Sequence, residues 1–299
     1  MTHLIRQMGH VAFTVPNPDV SAGDLVEVTG LKIAERRNGT VYLSANQRHH
    51  EISYRLGPNA VVEAIGLEAM DAAAVDEVQR RLQSGGIRIL DDRPLDPFME
   101  RAVRFMTPFD AIFEVHSPVM RDQTQRHIGA GSRPRRIEHV NLSASDMLVA
   151  RDFFVGVLGM ELTDRTSQDE FLWFRTWDGY HHTIALYQGE PKLNHYAFSQ
   201  NSLEDLVGIA DTLVLKDRYL LWGPGRHGAG GNIFTYYIDP DGCVVENSIG
   251  MDHYGSDLPY EVRTWEMTMD PKSRLLNQWG GTRSPDDFIH HGMPFAALD

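Results

Sequence analysis

Residues 225–246 read GRHGAGGNIFTYYIDPDGCVVE. A glycine-rich loop (228–231) leads into an apolar run, Ile233 to Ile238. The tetrapeptide Asp239-Pro240-Asp241-Gly242 then interrupts it, and a second run closes on Glu246. Proline at the second position of a turn presets φ near −65°, and glycine at the fourth is favoured in type I turns, so the two runs fold back as a hairpin. Strand side chains alternate between faces, which puts Tyr236 with Phe234 and Glu246 with Val244. A carboxylate at the end of Cys-Val-Val-Glu is costly to bury without a partner. Glu246 is therefore either the first solvent-facing residue after the strand or the partner of a cation.

Outward from this hairpin, the chain repeats. His10 in Gly9-His10-Val11-Ala12-Phe13-Thr14 answers His139 in Glu138-His139-Val140-Asn141-Leu142-Ser143. His49-His50 answers His181-His182, Gly57 answers Gly189, and Thr107-Pro108 with Glu114 answers Asp239-Pro240 with Glu246, all at an offset of about 130 residues. A fixed offset means one structural unit used again. The boundary falls in the polar stretch 121–136, giving an N-terminal unit over 1–120, a linker over 121–136 and a C-terminal unit with its tail over 137–299. In the second unit the expected order is a His139-bearing strand and a helix from about Ser145 to Leu158, with Ser145 as N-cap. Strands 171–176, 182–187 and 193–198 follow, then a helix over 202–215 and the hairpin. Strands and helices mix without strict alternation, so the fold class is α+β. Residues after Met251, with Trp265, Trp279 and Gly280-Gly281, are expected to form a tail on the second half.

With 299 residues the chain can bury a large core, and its net charge of −13 leaves no basic stripe to neutralise phosphates. No nucleic-acid or membrane partner is expected. The N-terminus lacks the long apolar segment of a secretory leader, and a single cysteine, Cys243, suits a reducing cytoplasm. The short cluster Arg133-Pro134-Arg135-Arg136 falls in the linker.

Two histidines and a carboxylate on one face of a metal suit sites where iron binds both an organic substrate and O₂. His139, His195 and Glu246 come from three separate strands and could form such a set. Each taken alone reads as readily as a structural residue. The hairpin from Tyr236 to Glu246, with Arg226-His227-Gly228 ahead of it and His182-Thr183-Ile184-Ala185-Leu186 followed by Asn194-His195, resembles type I extradiol ring-cleavage dioxygenases of the vicinal oxygen chelate superfamily. The family includes catechol 2,3-dioxygenases and 2,3-dihydroxybiphenyl dioxygenases.

The resemblance implies two domains, each of two βαβββ modules, with the working metal in the second. It implies Fe(II), or less readily Mn(II), held by His139, His195 and Glu246. It places His182 beside the O₂ position, and His227 and Tyr236 against the catechol oxygens. A catecholic substrate, O₂ as co-substrate, ring opening next to the diol and homo-oligomerisation follow from it. The departures are the glycine run 228–231, expected to loosen the pocket mouth, and the weak helix start Val20-Ser21-Ala22-Gly23. Trp173 and Phe174 suggest aromatic walls and a hydrophobic, substituted catechol.

The first half keeps His10, His50 and Glu114, with Glu63 near the position of His195. It has Leu95 and Arg104 where His227 and Tyr236 would stand, so a degenerate supporting domain is expected. His181 is expected to point outward, and His3, His116, His127, His253, His290 and His291 to be solvated. Tyr237 and Cys243 are expected to pack. Other readings within this fold are a glyoxalase-like metal-dependent isomerase or lyase, which has no need of His182, His227 and Tyr236 together, and a binding protein without turnover, which has no need of the ligand set.

Overall fold

The computed structural model describes residues 3–124, 132–255, 259–267, 274–279 and 284–298. The chain folds into two mixed sheets of like design. The first sheet comes from β1 (Ile5–Val15), α1 (Pro18–Asp24), β2 (Lys32–Arg37), β3 (Thr40–Ser44), β4 (Ile52–Leu56), β5 (Val61–Ala69), α2 (Ala72–Ser84), β6 (Ile89–Asp91), β7 (Ala102–Met106) and β8 (Ile112–His116). The second comes from β9 (Arg136–Ala144), α3 (Met147–Asp152), β10 (Glu161–Thr166), β11 (Phe171–Arg175), β12 (Ile184–Gln188), β13 (Lys192–Ser199), α4 (Leu203–Leu215), β14 (Trp222–Arg226), β15 (Ile233–Ile238) and β16 (Val244–Ile249). A short tail strand, β17 (Arg263–Trp265), pairs with β10.

The strand orders are β2-β3-β4-β1-β5-β8-β7-β6 and β14-β15-β16-β13-β9-β12-β11-β10-β17. In each sheet the first strand of a module pairs in parallel with the last strand of the same module, β1 with β4 and β9 with β12. The two modules then join through an antiparallel pair, β1 with β5 and β9 with β13. This is the α+β arrangement of two βαβββ modules per half. Purely local signals set several boundaries. Ser202 and Asp205 form a capping box that starts α4 where expected. The α3 cap is Asp146 rather than Ser145: its carboxylate accepts from the backbone N–H groups of Leu148 and Val149, both at 3.0 Å, and the charge favours the positive helix end. Helix α3 gives way to a π-turn at Phe153–Val157, one residue short of the expected end.

The halves share one apolar core. Phe153 and Phe154 of the π-turn pack against Phe105, Phe109 and Phe113, with ring centroids 5.6–6.0 Å apart. A polar seam runs beside it. Thr29 Oγ1 and the Tyr237 hydroxyl lie 2.9 Å apart, the hydroxyls of Tyr54 and Tyr196 meet at 3.3 Å, and Tyr196 donates to Asp239 at 3.0 Å. Tyr237 and Cys243 are fully buried, as packing residues should be. The tail departs from expectation by also reaching the first half, where Ala296 N–H donates to the Val62 carbonyl at 2.9 Å. Gly280 and Gly281 lie outside the described residues, as does His127. Among the described residues no helix is long and apolar enough to cross a membrane.

Candidate metal centre and active site

Three neighbouring strands present the candidate ligand set of His139, His195 and Glu246. Ala197 on β13 is the lateral partner of His139 on β9 and of Glu246 on β16. Strands lie about 4.8 Å apart, so residues on either side of β13 meet only by leaning across the residue between them. A methyl group there leaves them room. His139 Nε2 donates to Glu246 Oε2 at 3.0 Å. His195, two residues before Ala197, brings its Nε2 to 3.2 Å from the same oxygen. All three side chains are buried.

The surrounding bonds fix which nitrogen faces inward. Asn194 donates through Nδ2 to the carbonyls of Phe288 and His291, at 3.0 and 3.1 Å, so its Oδ1 must accept. His195 Nδ1–H donates to that oxygen at 2.8 Å, leaving Nε2 with its lone pair. Asn232 Nδ2 donates to Glu246 Oε1 at 3.0 Å and orients the carboxylate. Burial works to raise the Glu246 carboxyl, but His139 and His195 outweigh it and hold it well below the usual range. Burial likewise disfavours charge on His139, yet Glu246 and Glu138 push it up to about 9. Two imidazole nitrogens and a carboxylate oxygen, all within 4.8 Å of one another, are a donor set that fits a divalent first-row metal.

His227 and Tyr236 stand beside this set. His227 Nδ1–H donates to the Leu276 carbonyl at 2.7 Å, so its Nε2 accepts the Tyr236 hydroxyl at 2.8 Å. Tyr236 pairs directly across the hairpin with Glu246 and stacks on Trp222, with the rings 10° from parallel. Burial lowers His227 to about 4, so the ring is neutral and ready to accept at neutral pH. His182, two residues ahead of β12, sits with its ring centroid 4.3 Å from that of His139. Burial first, then His139, depresses it well below the ordinary histidine value. All six residues line one pocket.

Phe171, Trp173, Tyr187, Trp222, Leu275 and Phe288 give the pocket aromatic and aliphatic walls, and Asn141, Asn194 and Ser284 add neutral polar groups. Among the described residues, the lining includes no lysine, arginine or aspartate. Phe174 is not part of it; it is buried in the shared core. The glycine run does not loosen the mouth either. A Cβ on Gly228 would meet the Arg274 carbonyl oxygen at 2.2 Å, while Gly228 N–H donates to the Leu275 carbonyl at 2.8 Å. The small residue lets the tail lie directly on the loop and close the pocket with Leu275 and Leu276.

Two histidine expectations fail. His116 is fully buried, its Nε2 3.3 Å from His10 Nδ1. His181 is also fully buried. Its Nδ1 lies 2.9 Å from His182 Nδ1 and its Nε2 lies 3.2 Å from Asp164 Oδ2. Asp164 in turn accepts from Arg263 Nε, Trp265 Nε1 and the Tyr260 hydroxyl, at 2.9, 2.6 and 3.1 Å. Strand alternation suggested an outward His181, but the pair precedes β12 in irregular backbone, where alternation does not hold. The repeat carried a signal: His49 Nδ1 and His50 Nδ1 lie 3.3 Å apart in the first half, and His49 Nε2 lies 3.1 Å from Glu35. Glu35 answers Asp164 at an offset of 129, close to the 132 of the histidine pairs.

The model of the Glyoxalase/Bleomycin resistance protein/Dioxygenase superfamily matches residues 7–115 and 136–246. The chain is 25% identical to a manganese-dependent 2,3-dihydroxybiphenyl 1,2-dioxygenase of Geobacillus genomosp. 3, over 80% of this chain and 83% of that one. It is 25% identical to a metapyrocatechase of Geobacillus stearothermophilus, over 97% and 94% of the two chains. In structure it is similar to the Mn(II)-bound glyoxalase from Novosphingobium aromaticivorans, with a TM-score of 0.87 and 26% identity over 99% of this chain and 98% of that one.

Proposed function

Because the chain belongs to the Glyoxalase/Bleomycin resistance protein/Dioxygenase superfamily, we propose that it is an extradiol dioxygenase, opening a catechol ring beside the diol and inserting both atoms of O₂. The observation that carries this reading is the His227–Tyr236 pair, 2.8 Å apart, sharing one pocket with the His139–His195–Glu246 set and His182. His139, His195 and Glu246 would hold the metal. When bound, it supplies a Lewis acid able to take both catechol oxygens and O₂ and to pass electron density between them. Fe(II) is the metal of this reading. Mn(II), printed in the names of two similar proteins, accepts the same donor set.

The chain's own groups supply the rest. Tyr236 turns its hydroxyl from His227 Nε2 to an ionised substrate oxygen, a charge-assisted bond that favours the catecholate. His227, held by the Leu276 carbonyl, accepts from the second hydroxyl and sets the tilt of the ring. His182, kept neutral by its burial and by the neighbouring His139, is placed to stabilise charge that develops on dioxygen and to donate the proton that O–O cleavage requires. The aromatic walls of Phe171, Trp173 and Trp222 suit a flat ring, and a described lining without lysine, arginine or aspartate favours an apolar, uncharged substituent on it. The proposal includes a homo-oligomer in a reducing cytoplasm, read by sedimentation and by fractionation.

The 26% identity to a glyoxalase favours one second reading, a metal-dependent isomerase or lyase. It leaves His182, His227 and Tyr236 without a shared task. Anaerobic reconstitution with Fe(II) or Mn(II), followed by 3-substituted catechols in air, decides between the two. A yellow ring-opened product with one O₂ consumed per ring supports the dioxygenase. No product with any catechol at full metal occupancy overturns it and leaves the isomerase or lyase.

A further inference from the structure

The first half contains a second convergence of metal-type donors, built from a different set of residues. His10 on β1, His50 just ahead of β4, Asp96 in the loop after β6 and Glu114 on β8 are all fully buried. His10, His50 and Asp96 place one ligand atom each within 4.8 Å of the others. Glu63, at the position corresponding to His195, is not among them. It pairs with Arg55 at 2.6 Å, on the partly exposed side.

The hydrogen-bond order makes the centre of this cluster electrostatically unbalanced. His116 Nδ1–H donates to the Ser117 carbonyl at 2.8 Å, so its Nε2 accepts from His10 Nδ1–H at 3.3 Å. The inward His10 Nε2 therefore carries a lone pair. It has no hydrogen-bond partner and faces Glu114 Oε1, itself unpartnered, at 3.9 Å. On the other side, His49 Nε2–H donates to Glu35, His49 Nδ1 accepts from His50 Nδ1–H, and His50 Nε2 is left as a second lone pair. It faces Asp96 Oδ2 at 3.3 Å. The other Asp96 oxygen accepts from the Tyr42 hydroxyl at 2.8 Å and from Arg55, and Oδ2, which also accepts from Ser53 Oγ at 3.3 Å, is turned to His50.

Nitrogen lone pairs facing carboxylate oxygens repel unless a cation lies between them. The separation suits one. Two ligands about 2.0–2.1 Å from a tetrahedral ion stand roughly 3.4 Å apart, and the His50–Asp96 contact is 3.3 Å. Arg55 pairs with Asp96 and Glu63, while Arg104 is shared between Glu114 at 4.0 Å and Asp91 at 3.7 Å. The backbone is also shaped around the cluster. A Cβ on Gly66 would strike His10 Nδ1 at 2.2 Å, and one on Gly9 would strike His116 Nε2 at 2.1 Å.

We propose that the first half holds its own divalent transition-metal site of the zinc class, ligated by His10 Nε2, His50 Nε2, Asp96 Oδ2 and Glu114 Oε1. Four protein donors and no exposed side chain make it a closed, structural site. It ties β1, β4, β8 and the loop carrying Asp96 at one point. It has no equivalents of the His227–Tyr236 pair, and it does not depend on the catechol reading.

The test is a metal count on the full-length chain, stripped with a chelator, equilibrated with Zn(II) and passed through a desalting column. Wild type is expected to retain two ions per chain, His195→Ala one and Asp96→Asn one. The Asp96→Asn protein, reconstituted with Fe(II), should keep its ring-cleavage rate. Co(II) loaded into the His195→Ala protein should give the visible absorption of a four-coordinate site. One ion in wild type and none in His195→Ala overturns the proposal and leaves the catalytic ligand set standing. One ion in wild type and in His195→Ala that is lost in Asp96→Asn upholds the first-half site and removes the second-half set, whereas the same count with the ion kept in a folded Asp96→Asn overturns the proposal. The His195→Ala result stands even if Asp96→Asn fails to fold, because its first half is unaltered.

Discussion

Replacing Asp164 by asparagine is expected to slow turnover through His182 while the metal centre stays filled. Asp164 is fully buried. Burial works to raise its carboxyl, but His181, Arg263 and Trp265 together hold it down to about 2, so it is ionised and accepts only. His181 must then present Nε2–H to Asp164, 3.2 Å away, and take the His182 Nδ1–H on its own Nδ1, 2.9 Å away. That order leaves His182 Nε2 free to accept and later return a proton. An asparagine amide donates where the carboxylate accepted. His181 would flip its proton to Nδ1, and His182 would be forced to carry its proton on Nε2. Partners of this indirect kind contribute roughly 10- to 100-fold in comparable sites, or about 1.4–2.7 kcal/mol in the barrier. The assay is kcat for catechol cleavage across pH, with bound metal counted in the same sample. The expected result is a kcat lower by that factor, a displaced pH profile and unchanged metal content. Trp265→Phe, which removes one donor at 2.6 Å but keeps the carboxylate, should leave the profile in place. Unchanged kcat for Asp164→Asn at full metal occupancy would refute the relay.

His195→Ala should abolish metal at the second-half centre together with ring cleavage, both read on one preparation. His182→Phe should keep metal and catechol binding but lower kcat by roughly 10²–10⁴-fold, the usual range for a lost general acid. Ala197→Leu should wedge His139 from Glu246, whose bond across this residue is 3.0 Å, and weaken metal affinity by dialysis while the circular dichroism spectrum is retained. Asp239 is raised from 3.8 to about 7, chiefly by burial. The folded state thus binds its proton more tightly, so this residue's contribution is full below pH 4 and is lost as pH rises to 7. The loss is on the order of 4 kcal/mol at most, and chemical denaturation of Asp239→Asn should show a flatter stability profile over that window.

The parts of the site legible in sequence were those written as local chemistry on regular strands. Turn residues 239–242 announce the hairpin, alternation separates Tyr236 from Tyr237, and the repeat at a constant offset aligns His139 with His10. What escaped depended on long-range placement. His116 ends β8 and looks solvent-facing by position, yet Gly9 leaves a space that its ring fills. Asp164 and Trp265 lie about 100 residues apart in sequence and meet only because β17 adds itself to the sheet edge at β10. Asp96 sits in an irregular loop with no periodicity to mark it. Leu276, which supplies only a backbone carbonyl to His227, carries no side-chain signal for that role.

The divergence of the two halves explains why the first is kept although it lacks the groups that would handle a catechol. The strand carrying Tyr236 has its opposite face on the first half: Tyr237, the next residue, meets Thr29 at 2.9 Å, and strand alternation then turns Tyr236 to the pocket. The turn that joins this strand to the one bearing Glu246 is gripped from the same side. Asp239 accepts from Tyr196, whose hydroxyl meets Tyr54, and Asp241 accepts from Ser21. Arg218 reaches both Asp24 and the Ile238 carbonyl. Four residues of the first half, Thr29, Tyr54, Ser21 and Asp24, thus hold the back and the tip of one hairpin whose front presents Glu246 and the Tyr236 hydroxyl to the pocket. A site that must hold its donors within about 0.5 Å gains more from a rigid support than from a second copy of its chemistry. The first half can therefore lack the catechol-handling groups while its contacts with this hairpin remain necessary to the second.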